Sequence, residues 1–271
     1  MDINSRLPDG IVILGCGKMG SAMLAGWLRK GIAPERVFVT DPAPSDWLRS
    51  TGVHLNTALP AKASLALIAV KPQMMSDALP QLLELTKGNT IFVSVAAGTS
   101  IDTYESSLGR SAPIIRAMPN TPAAIGQGIT ALVGNARTKK EDLSLVTDLL
   151  SVIGQTVHLE HESQMDAVTG VSGSGPAYVF HMIETLAEAA KKQGLSDELA
   201  MTLAKATVAG AGALALTATE SPEQLRINVT SPNGTTQAGL EVLMDQKTGL
   251  APLMEKTVLH AVERSRELSN G

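Results

Sequence analysis

IVILGCGKMG, Ile11 to Gly20, decides the fold of the first half of this 271-residue chain. An apolar run of strand length meets three glycines spaced G-x-G-x-x-G, and the residues behind them take up a helical pattern. Each glycine has its own task. Gly15 permits the tight turn out of the strand, Gly17 leaves the main chain open to a pyrophosphate, and Gly20 lets the following helix lie close on the strand. A helix that starts here presents unpaired N–H groups and a partial positive charge, so it holds an anion without a basic side chain. Cys16, within the loop, reads as a small filler.

Working outward, strands and helices alternate. Ser21–Lys30 is predicted as a helix closed by Gly31, Val37–Thr40 as a strand, and Ser45–Ser50 as a short helix capped by Ser45. Leu65–Val70 is a strand stopped by Lys71-Pro72, Gln73–Thr86 a helix, and Ile91–Val95 and Ile114–Met118 strands. Strand Ile129–Val133, helix Glu141–Ile153 and strand Thr156–Leu159 finish the pattern. Such alternation predicts an α/β, doubly wound parallel sheet of Rossmann type over residues 1–160.

Past His161 the strand patterns stop. Tyr178–Lys192, Asp197–Thr217, Pro222–Ile227, Gln237–Met244 and Pro252–Leu268 read as helices, so residues 161–271 form an all-α domain. Ser221-Pro222 with Gln224 is a capping-box start. Asp197–Thr217 is apolar nearly all round and must be covered on every side. About 110 residues of helix provide too few partners for that, which predicts a homodimer built through this domain.

Composition excludes several classes. Net charge is −4 with no basic stripe, against a nucleic-acid partner. The single cysteine rules out an internal disulfide and fits a reducing, cytoplasmic setting. MDINSRLPDG is polar, so no signal peptide is expected. Ala206–Ala218, the most membrane-like run, is too short to span and reads as a buried helix, so no membrane partner is expected. The five histidines are scattered and no metal-ligand set accompanies them. With aromatics at 3%, recognition falls to backbone amides.

Further along, Asp41 ends the second strand about twenty residues past the glycine loop. There it either accepts hydrogen bonds from a ribose and repels a 2′-phosphate, favouring NAD(H), or is a plain turn aspartate before Pro42. Ala69-Val70-Lys71-Pro72, Ala96-Ala97-Gly98 and Met118-Pro119-Asn120-Thr121-Pro122 all sit at strand ends, where open α/β sheets bind ligands. Two glycine- and serine-rich loops, SGSGPAYVF (Ser172–Phe180) and TSPNGTT (Thr230–Thr236), run into helices in the back half. The second gathers the hydroxyls of Ser231, Thr235 and Thr236 with free amides at one helix start, a cradle for a small carboxylate.

GCGKMG, AVKPQ, RAMPNTPA, DAVTGVSGSGPAYVF, LRINVTSPNGTTQAGLEVL and AVERSREL, in this order, resemble pyrroline-5-carboxylate reductase over nearly the whole chain. The resemblance implies NAD(P)H-dependent reduction of Δ1-pyrroline-5-carboxylate to L-proline, with NADP(H) or NAD(H) as cofactor. It implies a Rossmann domain followed by a helical dimerisation domain, and assembly into dimers or rings of dimers. It assigns Gly15, Gly17, Lys18 and Met19 to the dinucleotide loop, Asn56 to the adenosine side, and Ala69, Val70, Lys71, Pro72 and Ala97 to the nicotinamide. Ser231, Gly234, Thr235 and Thr236 would hold the substrate, with Ser174, Gly175 and Pro176 as another wall and Thr236 and Ser231 as the catalytic pair. In such dimers the pocket is shared between chains. Two departures stand out: Asn233 replaces the first of two glycines, and Ile227 an aspartate. Val179–Met182 carry no lysine, against a β-hydroxyacid dehydrogenase.

Overall fold

A computed structural model of the protein describes residues 3–270, with side chains to residue 268. The chain divides into two compact units. One runs through Gly173 and takes in the chain from Val262 onward; the other is Ser174–Ala261.

The first unit is built on an eight-stranded sheet: β1 (Ile11–Leu14), β2 (Val37–Thr40), β3 (His54–Leu55), β4 (Leu65–Ile68), β5 (Ile91–Ser94), β6 (Ile114–Met118), β7 (Gly128–Gly134) and β8 (Gly154–His158), in the order β3-β2-β1-β4-β5-β6-β7-β8. Its helices are α1 (Lys18–Arg29), α2 (Asp46–Ser50), α3 (Met75–Ala78), α4 (Ile101–Leu108), α5 (Lys140–Leu150) and α6 (Met165–Val168). All four β1 residues are buried, as a central strand covered on both faces requires. Alternate side chains feed two cores. Ile11 and Ile13 pack with Trp27 of α1 and Leu149 of α5, while Val12 and Leu14 pack with Phe92 and Tyr104 on the opposite face. The Trp27 indole N–H donates to the Leu149 carbonyl at 2.8 Å, locking α1 to α5.

The α/β, doubly wound architecture is as expected, with four differences of detail. The sheet is mixed, because β6 and β7 pair antiparallel. The linker between them is a single 3-10 segment, Thr121–Ile125, too short for the crossover that a parallel pair needs. The expected helix Gln73–Thr86 is broken into a 3-10 turn, the one-turn α3 and a 3-10 run, Leu79–Lys87, since Pro80 has no N–H to continue an α-helix. Helix α4, unforeseen, starts at Ser100, whose hydroxyl accepts from the Thr103 amide at 3.2 Å. The segment Glu162–Gly173, outside the expected helices, forms a 3-10 turn, α6 and a π-turn and groups with the sheet unit, with Met165 in its core.

The second unit contains α7 (Gly175–Lys192), α8 (Asp197–Thr217), α9 (Pro222–Asn228), α10 (Thr235–Leu243) and the start of α11 (Leu250–Asn270). Helices α7 and α8 pack through Ala187, Ala200 and Ala204. Ser196 and Ser221 cap α8 and α9 as their hydroxyls accept from the Leu199 and Gln224 amides. The Gln224 side chain turns to Asn228, so only half of the expected capping box forms. At 21 residues α8 is long and apolar enough to cross a membrane, so length does not exclude a span at Ala206–Ala218 as expected. Most of α8 is exposed within one chain, including Leu214 and Leu216.

Candidate active site

In the sheet unit the glycine loop has the strain that its spacing predicts. Gly15 leaves β1 with φ at +81°, and its amide donates to the Thr40 carbonyl at 2.8 Å. A Cβ on Gly15 would meet the Ala69 carbonyl oxygen at 2.8 Å, and one on Gly20 would meet the Gly15 oxygen at 2.6 Å. A Cβ on Gly17 would meet nothing within 4 Å. Gly17 caps α1 without any side-chain bond, so an anion laid on that end would reach bare main chain. This geometry fits a pyrophosphate. Met19 packs on the core beneath the loop, and Lys18 is exposed beside it.

Asp41 is 8% exposed and is a strut of this loop. Its Oδ2 accepts from the Cys16 amide at 2.6 Å and its Oδ1 from the Ala43 amide at 2.8 Å. Asn56, in the left-handed region at φ +53°, clips Asp41 from below: it accepts from the Asp41 amide and donates to the Asp41 carbonyl, both at 2.9 Å. Asp41 and Asn56, with Pro42 and Val70, line a cavity of about 240 Å³ that no Lys or Arg enters. The bonds to the Cys16 and Ala43 amides are those of the turn reading, and Asp41 also borders the space beyond β2. The Cys16 thiol is buried, and burial pushes its pKa up, in line with a filler.

Ala69 stays on the sheet through its amide to the Leu14 carbonyl, while Lys71 is exposed and Pro72 opens a 3-10 turn. Ala97 lies half-exposed between buried Ala96 and Thr99 in the loop that follows β5. These residues share the carboxyl ends of β1, β2, β4 and β5. A larger depression of about 530 Å³, lined by Lys62, Ser64 and Ile91, is at the opposite, amino ends of the strands. It is far from the glycine loop and from the place where open α/β sheets hold ligands.

Sequence reasoning missed the polar groups around Ala97. Glu162 Oε1 accepts from the Ile101 amide and from Arg116 Nη1, both at 2.8 Å. Arg116, in mid-strand, is 4% exposed, and its Nη2 is buried without a partner. The Tyr104 hydroxyl is hydrogen-bonded to Ser94, and Ser94 Oγ also accepts from the Ala96 amide at 3.2 Å. Asn120 has a similar role on the next loop, donating to the Ser172 carbonyl at 3.1 Å and accepting from the Ile129 amide at 3.0 Å.

The helical unit holds the other group of candidates. SGSGPAYVF is no free loop: Thr169–Gly173 form a π-turn after α6, and Ser174 is already helical at the head of α7. Its hydroxyl makes no cap bond. TSPNGTT is a true turn into a helix. Asn233 sits at φ +57°, the left-handed conformation asparagine tolerates, and its amide donates to Gln237 Oε1 at 2.8 Å. A Cβ at Gly234 would lie 2.5 Å from Ser231 Oγ, so a larger residue there would push the serine hydroxyl aside. Gly234 caps α10 with no side-chain bond, leaving the first-turn amides and the hydroxyls of Thr235 and Thr236 at one helix start. Ile227, in place of an aspartate, is 49% exposed on α9.

Comparison with known proteins agrees with both halves. The family described as pyrroline-5-carboxylate reductase dimerisation matches residues 162–268, and that described as NADP oxidoreductase, coenzyme F420-dependent, matches residues 10–98. The pyrroline-5-carboxylate reductase of Pseudomonas aeruginosa is 36% identical over 265 residues, spanning 96% of each chain. The solved pyrroline-5-carboxylate reductase of Coxiella burnetii superimposes with a TM-score of 0.89 at 33% identity, over 96% of this chain and 98% of its own. That of Plasmodium falciparum, a structure with NADP bound, gives 0.83 at 28% identity over 96% and 98%. Identity at this level, sustained from the glycine loop to the last helix, places the chain in the pyrroline-5-carboxylate reductase family.

Proposed function

We propose that the protein reduces Δ1-pyrroline-5-carboxylate to L-proline with a nicotinamide dinucleotide, the last step of proline biosynthesis. The observation that carries the reading is the uncapped start of α10, where free amides and the hydroxyls of Ser231, Thr235 and Thr236 meet at Gly234. A helix N-terminus of this kind binds a carboxylate by bare N–H groups and its positive end. The Thr236 hydroxyl is then the donor to the ring nitrogen, with Ser231 beside it and Ser174, Gly175 and Pro176 as a second wall.

In the sheet unit, Gly15, Gly17, Lys18, Met19 and Gly20 would hold the pyrophosphate. Asp41 and Asn56 would face the adenosine, and Ala69, Val70, Lys71, Pro72 and Ala97 the nicotinamide. The bound dinucleotide supplies a hydride; the protein supplies placement and charge. No strong acid is needed, because the imine nitrogen is itself basic and a hydroxyl or water can relay the proton. The acidic cavity beside Asp41 favours NADH over NADPH, since a 2′-phosphate would meet a carboxylate there and no cation.

Residues 161–271 serve as the substrate and dimerisation domain of a cytoplasmic homodimer, and larger rings of dimers are compatible with it. The exposed apolar residues of α8, such as Leu214 and Leu216, support the dimer. The test is to mix protein and Δ1-pyrroline-5-carboxylate with NADH, and in parallel with NADPH, and follow the nicotinamide absorbance. Oxidation is expected, faster with NADH. No oxidation with either cofactor overturns the function, and a faster rate with NADPH overturns the assignment to Asp41.

A further inference from the structure

We propose that Glu162, with Arg116 and Tyr104, positions the loop Val95–Ser100 and so fixes where the nicotinamide ring lies. The proposal rests on the proposed function, in which Ala97 faces that ring.

The loop joins β5 to α4, and its start, its end and its middle are each held by a separate device. At its start, the Val95 amide donates to the Ile68 carbonyl at 3.0 Å and the Ala96 amide to Ser94 Oγ at 3.2 Å. Ser94 is hydrogen-bonded to the buried Tyr104 hydroxyl, which ties the start of the loop to a phenol carried on α4 beyond its end. At its end, the Ile101 amide is a helix N-terminal donor with no partner inside α4, and Glu162 Oε1 takes it at 2.8 Å. The same oxygen accepts from Arg116 on β6, 46 residues back in the chain. In the middle, Gly98 turns with φ +72°, and a Cβ there would come within 3.2 Å of Leu268 Cβ on the last turns of α11. Those turns are anchored in turn by Ser265 donating to Asp166 Oδ1 at 2.7 Å.

Ala97 is therefore the half-exposed apex of a loop held on every side. Glu162 touches neither the apex nor the glycine loop; it acts through the Ile101 amide and the guanidinium. A purely structural Glu162 would only neutralise the buried Arg116. A positioning Glu162 must also change how well the nicotinamide end is bound while leaving the adenosine end alone, because Asp41 and the glycine loop are built separately on β1 and β2.

The experiment compares NADH with ADP-ribose, which carries the pyrophosphate and adenosine but no nicotinamide, by calorimetric titration of the full-length protein. Removing Glu162 alone would strand a buried cation, so the main variant is Arg116→Met/Glu162→Leu, which replaces the pair by apolar groups. NADH is expected to bind about 10-fold more weakly, ~1.4 kcal/mol, with ADP-ribose unchanged. Tyr104→Phe, which keeps the ring and loses the hydroxyl, should shift NADH in the same direction by less. Glu162→Gln, which keeps an acceptor for the Ile101 amide and the guanidinium but not the charge, should bind NADH with an affinity between those of the unaltered protein and the double variant. Parallel weakening of NADH and ADP-ribose, or unchanged NADH binding in both the double variant and Tyr104→Phe, overturns the proposal. Failure of the unaltered protein to bind NADH or NADPH would instead overturn the functional reading on which it rests.

Discussion

The sheet unit fully buries Trp27, Tyr104, Phe92 and many aliphatic side chains, whereas in the helical unit the buried apolar residues are Ala187, Ala200 and Ala204. Both are well-formed secondary structure. The sheet unit has enough core to stand by itself; the helical unit has methyl groups at its centre and leucines on its outside. Helices of that kind are stable when a second surface covers them, since most helical stability comes from packing and little from propensity. The contrast separates two jobs: a platform that shapes loops at its strand ends, and a set of helices that the proposed dimer would complete.

The strongest way to break the comparison is at α8. Leu214→Asp/Leu216→Asp puts charges where the proposed dimer buries leucine, at a cost of about 3–5 kcal/mol for an unpaired buried charge. Sedimentation should show monomers, and activity should be lost. A dimer of unchanged melting temperature would mean that α8 is not the covered face.

Thr236→Ala comes next. It leaves both units folded and should lower turnover about 10²-fold, the scale of one positioned proton donor. Steady-state rates at saturating cofactor measure it, and an unchanged rate removes Thr236 from the chemistry. Asp41→Ser sharpens the platform side. It removes a charged acceptor from the Cys16 and Ala43 amides, bonds worth about 1.5–3 kcal/mol each, so NADH binding should weaken about 10-fold or more while NADPH suffers less. Titrating both cofactors checks it; equal losses would leave Asp41 as a strut alone.

Smaller effects test the two units' secondary structure. Ser45→Ala on α2 and Ser221→Ala on α9 each remove a cap worth ~1 kcal/mol, read by denaturant melts. Smallest is an alkaline effect in the platform. Burial raises the Cys16 pKa from 9.0, so the neutral thiol is favoured in the folded state. Its contribution is full below the unfolded thiol's pKa and is lost as pH rises toward the folded value. Stability should fall on that limb and fall less in Cys16→Ala; identical limbs would exclude the thiol as a source.

What the sequence made legible was local. The strand–glycine–helix run at Ile11–Gly20, the Ser45 and Ser221 caps, and the bounds of α8 depend on neighbours a few residues apart, and the chain carries those signals on its surface. The antiparallel turn of β7 was hidden because strand composition says nothing of direction; the shortness of the Thr121–Ile125 connection decides it. Pro80 could have warned against a continuous Gln73–Thr86 helix, and Ser100 with Gly109 could have announced α4. In the candidate site, the turn at Gly234 was readable from its glycine and hydroxyls. The Glu162 tether was not, since its partners Ile101 and Arg116 lie 61 and 46 residues away and no spacing rule joins them.

The three-alanine centre of the helical unit has a further consequence for anyone handling the protein. In the proposed dimer, folding and pairing are linked by mass action, so thermal midpoint and specific activity should both climb with protein concentration. Dilution into an assay then acts as a slow inhibitor, and rates taken at the lowest enzyme levels will understate what the concentrated sample can do.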